Sequence, residues 1–169
     1  GSALTVDDLE GVHCDFCHKL VNPELAGNNP YAEDDYYMQE TFGRDTTYLS
    51  TLTDVPPAFA NGMFVVDSDN SKRGPFSDAN AKHQRFYSPF HKEAELCGTC
   101  HDVSNPAFDR VVVENGPDYY VPNEFGVRAP NFNPYTMFPV ERTYSEWKMS
   151  AYNSEEGIPS EVFGGNKAN

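Results

Sequence analysis

The sequence predicts a loop-rich, mainly irregular fold with a few short α-helices and a minor two-stranded β element, packed around something other than an aliphatic core of its own. Three observations carry that expectation. The 169 residues include 13 Pro and 12 Gly, many of them beside Asn, Asp or Ser; asparagine and aspartate side chains mimic turn backbone, while proline and glycine fix or free φ. The hydrophobic fraction is only 38% and the mean hydropathy −0.62, yet aromatic residues make up 14%, with 10 Tyr and 12 Phe, too many for a disordered acidic chain. The four cysteines stand in two pairs of equal spacing, each followed at once by histidine: Cys14-Asp15-Phe16-Cys17-His18 and Cys97-Gly98-Thr99-Cys100-His101.

Taken in order, Gly1-Ser2-Ala3 reads as a cloning or cleavage scar, which leaves residues 4–169 as one domain of ordinary size. "LTVDDLEG" predicts a short helix, with Thr5 and Asp8 in capping-box spacing and Gly11 as its stop. Turns are expected at "NNPYAEDD" (28–35), "DSDNSKRGP" (67–75) and "APNFNP" (129–134). The β-branched runs "MFVV" (63–66) and "RVVVE" (110–114) are expected to pair as the minor sheet. "SPFHKEAELCGTCH" predicts one continuous helix, with Ser88 as N-cap and Pro89 at the first helical position. "TYSEWKMSAY" predicts another, with Thr143 as N-cap and Glu146 completing a capping box. The cysteine–histidine motif is the one internal repeat, and no segment is of low complexity.

The formal charge of −14 and pI of about 4.5 argue against nucleic acid and against an anionic membrane surface, where lysine and arginine must dominate. They admit basic protein partners, cations or a mineral surface, or serve solubility alone. No apolar run approaches the roughly 18 residues of a spanning helix.

Disulfides fit an even cysteine count, and zinc fits paired CxxC knuckles. Zinc pairs usually lie roughly 15–20 residues apart, whereas 79 residues separate Cys17 from Cys97. The histidines favour a third chemistry. Only five occur in the chain, yet one directly follows each pair. Covalent heme attachment needs this pattern: two thiols add across the two vinyl groups of one porphyrin, and the next residue turns its imidazole onto the iron. Two c-type hemes are therefore expected, one on Cys14 and Cys17 with His18 as proximal ligand, one on Cys97 and Cys100 with His101.

For the sixth positions His13, His83 and His91 remain, with Met38, Met63, Met137 and Met149 read as packing residues. On one helix from Ser88, Cys97 and Cys100 lie roughly 240° and 180° around from His91. His91 is accordingly expected on the first heme, which would set the two macrocycles on opposite sides of that helix. His83, separated by the helix start, is assigned to the second heme, and His13 stays open as an alternative distal ligand.

"GVHCDFCHK", "RGPF" followed by His83, "SPFH", "ELCGTCHDV" and "PVERTYSEWKMSAY" together resemble large multiheme c-type cytochromes, exported bacterial and archaeal proteins of electron transfer, over roughly residues 10–165. The resemblance implies axial roles for the two histidines of "HQRFYSPFH" and a periplasmic or extracellular location. Such proteins usually continue after "FGGN" into another CxxCH, so the chain reads as a two-heme piece of a longer electron-transfer chain, or a short relative. Its expected partners are other heme or redox proteins, further heme domains of a longer chain, or an oligomer. Electron transfer through two six-coordinate, bis-histidine hemes is the leading expectation. The alternatives are a reductase module with one open-site heme, for which Arg85, Tyr87 and Asp102 are acid–base candidates, and a gas-sensing heme module. The carboxylate pairs Asp34-Asp35 and Asp67-Asp69 lack the glycine and terminal glutamate of a calcium loop.

Overall fold

The computed structural model describes residues 12–27, 29–30, 35–127 and 136–154. The helix expected at residues 4–11 and the turn at 129–134 lie outside them. The chain forms two compact units: Gly1–Pro56 with Phe64–Glu93, and Pro57–Met63 with Ala94–Asn169. Each contains one cysteine–histidine motif, in a chain read from sequence as one domain.

In the first unit, α1 (Cys14–Cys17) leads into β1 (Leu20–Val21), and a 3-10 turn at Pro23–Ala26 follows with Asn22 accepting from the Glu24 amide at 3.0 Å. The longest element is α2 (Tyr36–Leu49), capped by Asp35, whose carboxylate accepts from the Met38 amide at 3.0 Å. β2 (Val65–Val66) pairs antiparallel with β1. β3 (Lys72–Gly74) and β4 (Arg85–Tyr87) pair in parallel, Arg73 opposite Phe86. Val21, Leu25, Leu49 and Val65 form a small apolar cluster, with Phe42 and Tyr48 packed against it.

The face that α2 buries is Thr41, Asp45 and Leu49, four residues apart and so stacked along one side. Each makes a different tie. Thr41 donates to the Tyr87 carbonyl of β4 at 2.5 Å, Asp45 takes the Arg73 side chain of β3, and Leu49 enters the apolar cluster. Tyr48 adds a bond to the Val66 carbonyl of β2 at 2.7 Å. A helix whose inner stripe is two-thirds polar shows no hydrophobic periodicity, which is why the sequence reading passed over it.

In the second unit, α3 (Ala94–Gly98) precedes β5 (Val103–Val111), the centre of a three-stranded antiparallel sheet with β6 (Tyr119–Pro122) and β7 (Met137–Glu141) at its edges. Register slips between Asn105 and Asp109, around Pro106, which has no amide hydrogen for the ladder. α4 (Thr143–Met149) closes the described part with a 3-10 turn at Ala151–Asn153. Residues 57–63 join this unit through Asn61 and Gly62, both at positive φ, whose amides donate to the carbonyls of Asp102 and Thr99 at 2.9 and 2.7 Å.

Three expectations are corrected. The runs 63–66 and 110–114 do not pair: Val65–Val66 joins β1, and β5 joins β6 and β7. The helix from Ser88 is not continuous. Pro89–Lys92 is a 3-10 turn without a side-chain cap, Glu93 is extended, and α3 starts only at Ala94. Finally, Thr143 does not cap α4. Arg142 holds that position without a side-chain bond, and Asp102 reaches in from β5's approach to accept from the Ser145 amide at 3.2 Å.

Candidate functional site

Both cysteine–histidine motifs fold into a single helical turn. The His18 amide donates to the Cys14 carbonyl at 3.0 Å, and the His101 amide to the Cys97 carbonyl at 2.8 Å. Cysteines three apart on such a turn share one face, as two thioethers to one porphyrin edge require. All four thiols are free, and those of Cys14, Cys97 and Cys100 are exposed.

In the first unit, His18 is held at both ends by Arg73 of β3. The Arg73 amide donates to the His18 carbonyl at 2.7 Å, and His18 Nδ1 lies 2.5 Å from the Arg73 carbonyl. A carbonyl partner makes Nδ1 the protonated nitrogen and leaves the Nε2 lone pair free for a metal, the usual arrangement for a ligating histidine. His83, two residues before β4, has its Nδ1 3.1 Å from the carbonyl of its neighbour Gln84. That carbonyl also accepts from the Lys72 amide, so the β3–β4 pairing positions both histidines. Cys14, His18 and His83 line one cleft of about 340 Å³, and His18 and His83 line a second of about 200 Å³ beside it. These residues fit a heme: a free thiol and two imidazoles with bare Nε2 atoms meet at one opening.

His91 sits differently. Its Nε2 lies 2.9 Å from the Cys17 carbonyl, and its ring is nearly parallel to that of His18, 17° apart with centroids at 6.3 Å. Its Nδ1 is buried and has no hydrogen-bond partner. Burial lowers its pKa, the bond to the Cys17 carbonyl opposes that, and the charges of His18 and Arg73 lower it further. The single helix from which the pairing of His91 with the first heme was argued is absent, but His91 does stand beside His18 in the first unit. His83, expected on the second heme, lies in the first unit and shares a cleft with Cys14 and His18. His13 is exposed, and its carbonyl starts α1 by accepting from the Phe16 and Cys17 amides.

Behind His18 lies a buried charge cluster. The Arg73 guanidinium, without solvent exposure, forks onto Asp45 through Nε at 3.1 Å and Nη2 at 2.6 Å, and reaches Asp67 at 2.6 Å. Arg44 adds a bond to Asp67 at 2.7 Å and another to Asp69. Burial raises the Asp45 pKa against the pull of Arg73. Burial also pushes Asp67 up, but hydrogen bonds from Arg73, the Asp69 amide and Arg44 outweigh it and leave Asp67 lowered. Nothing in the sequence marks this cluster, since Asp45 and Arg73 stand 28 residues apart and each alone reads as a surface charge.

In the second unit, Cys97, His101, Thr143, Tyr144 and Trp147 line an apolar cleft of about 360 Å³. As Arg73 does for His18, a later amide grips the proximal histidine: Tyr144 N–H donates to the His101 carbonyl at 2.9 Å. Tyr144 donates its hydroxyl to Glu95 at 2.8 Å and accepts from Lys148 at 2.9 Å. Burial pushes its pKa up to about 12, with Lys148 lowering and Glu95 raising it. The apolar walls, the accessible Cys97 thiol and His101 also fit a heme. No histidine other than His101 belongs to this unit, and no methionine or lysine lines its cleft. Among the described residues there is no cluster of three or more His, Cys, Asp or Glu able to hold a metal ion by themselves. Asp67 and Asp69 are engaged by arginines, and Asp35 caps α2.

Comparison with family models, curated proteins and solved structures finds no match to the chain. No helix among the described residues is long and apolar enough to cross a membrane.

Proposed function

We propose that this chain transfers electrons through two covalently attached c-type hemes, the first held between His18 and His83. The observation that carries the reading is the shared cleft of Cys14, His18 and His83, with Nδ1 of both imidazoles on backbone carbonyls. Bound heme supplies a one-electron ferric–ferrous couple. The residues then have three tasks. Cys14 with Cys17, and Cys97 with Cys100, tether the macrocycles. His18 and His83 would supply the two axial nitrogens, which would leave no position for a substrate. The Arg73 carbonyl, accepting from His18 Nδ1, raises the ring's basicity and favours the ferric state. The acidic surroundings act in the same direction, lowering potential.

Heme attachment to cysteine in bacteria takes place outside the cytoplasmic membrane, so a periplasmic or extracellular site of action follows from the reading. Its partners are other heme or redox proteins, whether separate or parts of a longer chain. The deciding experiment is a denatured mass with a pyridine hemochrome count, on protein from an export-competent, heme-loading host. Two added hemes are expected, and the bare polypeptide mass overturns the proposal. Holoprotein recovered from cells without an export route contradicts the compartment.

One observation favours a second reading: among the described residues, the cleft of the second unit presents His101 and no second imidazole, methionine or lysine. An open iron there would bind small molecules, as in a reductase module. Asp102 offers it no acid–base help, because its carboxylate is buried on Ser145 at 2.6 Å and beside Arg142 at 3.6 Å. Carbon monoxide binding to half of the reduced heme would favour this reading; no binding would favour the first.

A further inference from the structure

We propose that Arg73 is a positioning residue for the first heme, acting through His18, and that Asp45 and Asp67 hold it in place. The inference rests on the reading of His18 as an iron ligand. Arg73 bonds His18 with both of its backbone groups, amide to carbonyl at 2.7 Å and carbonyl to Nδ1 at 2.5 Å. The first bond fixes where the histidine's backbone stands, and the second fixes the turn of its ring. Together they aim the Nε2 lone pair.

The side chain of the same residue is wholly buried between Asp45 and Asp67. Removing a guanidinium and two carboxylates from water is costly, and their attraction offsets that only while the geometry is kept. A shift of the Arg73 backbone therefore breaks the fork, so the fork resists any shift of the carbonyl on His18. Asp45 belongs to α2, whose Thr41 bonds the Tyr87 carbonyl of β4, so the support is anchored on a rigid element. A purely packing role would be met by apolar residues at lower cost. Instead Arg73 Nη1 remains buried without a hydrogen-bond partner, a cost that marks a site under demand.

The test uses the holoprotein and Arg73→Lys, which keeps the charge and the backbone but loses the fork. The first heme's potential should rise while the second's stays unchanged, because a looser Nδ1–H bond makes His18 less basic. Exchange of the His18 Nδ1 proton, followed by NMR of the ferrous protein, should quicken about tenfold, the scale of one hydrogen bond. A folded two-heme variant with unchanged potential and exchange overturns the proposal. Should Arg73→Lys not fold, Asp67→Asn leaves the Asp45 fork intact. Faster Nδ1 exchange in that variant supports the role, and unchanged exchange overturns it. Wild-type chain with no heme sinks this proposal together with the heme reading, and its bare mass tells that failure apart.

Discussion

The ring of Tyr144 occupies the space a side chain on Gly98 would need: a Cβ there would stand 2.6 Å from Tyr144 Cγ and 2.7 Å from Cδ1. Tyr144 cannot retreat easily, since its hydroxyl is bonded to Glu95 and Lys148 and its amide to the His101 carbonyl. The second residue of the Cys97–Cys100 motif thus lets α4 lie flush on α3 and brings Tyr144 to the wall of the cleft. The first motif has the exposed Asp15 at this position, paired with Lys72.

Gly98→Ala should therefore destabilise the holoprotein by about 1–3 kcal/mol through overpacking, even though alanine is the better helix former by about 1 kcal/mol. Asp15→Ala, at the matching position, should leave stability nearly unchanged, since only an exposed pair with Lys72 is lost. Thermal unfolding of the two variants measures both effects. Equal changes would mean that the Tyr144 contact does not govern the packing of α4.

His83→Ala should leave the first heme with a vacated axial side, giving a high-spin or water-ligated visible spectrum. With the proposed His18–His83 pairing, His91→Ala should keep that heme low-spin, since the contact His91 then loses is the one to the Cys17 carbonyl. A high-spin first heme in His91→Ala with an unchanged one in His83→Ala would reverse the assignment.

What could be read from the sequence depended on whether the signal was local. The cysteine–histidine spacing is local, and both motifs indeed fold as one helical turn with free thiols. The helix α2 was not legible, because its inner stripe carries Thr41 and Asp45, polar residues whose partners are far away in sequence. Ser88 and Pro89 carried a proper start signal, yet extended backbone at Glu93 stops the turn after one round. Thr143 and Glu146 had capping-box spacing, but Asp102, from outside the helix, supplies the bond to Ser145. The His91 role was argued from one continuous helix, and the structure divides that helix into two pieces. Long-range hydrogen bonds decided the α2 and α4 cases, and no window of sequence contains them.

Trp147 is the one tryptophan of the chain and shares the cleft of Cys97 and His101. A heme attached there should quench its emission almost completely by energy transfer. The comparison is between a chain with Cys14 and Cys17 replaced by serine, which keeps only the second heme, and a chain with all four cysteines replaced. Strong emission from the heme-free chain and near-darkness from the other is the expected result. Equal emission would put the porphyrin away from the Trp147 wall.

The acid limb of stability should report on Asp69. The Ser71 amide donates to its carboxylate at 2.7 Å, and this bond, opposed slightly by burial and joined by Arg44, holds its pKa at about 2 rather than 3.8. A carboxylate with a depressed folded-state pKa stabilises the fold above the unfolded value, and that contribution is lost as pH falls through the folded value. The side chain is half exposed, so the contribution is that of a surface interaction, about 0.2–1 kcal/mol. Asp69→Asn should therefore be less stable than wild type at neutral pH. The gap should close as the pH drops from 3.8 toward about 2, where the wild-type carboxylate also becomes neutral. Denaturant unfolding of both proteins across that range gives the measurement. A gap that stays constant down to the acid end would show that the Asp69 charge contributes nothing, and that the Ser71 turn is kept by the backbone alone.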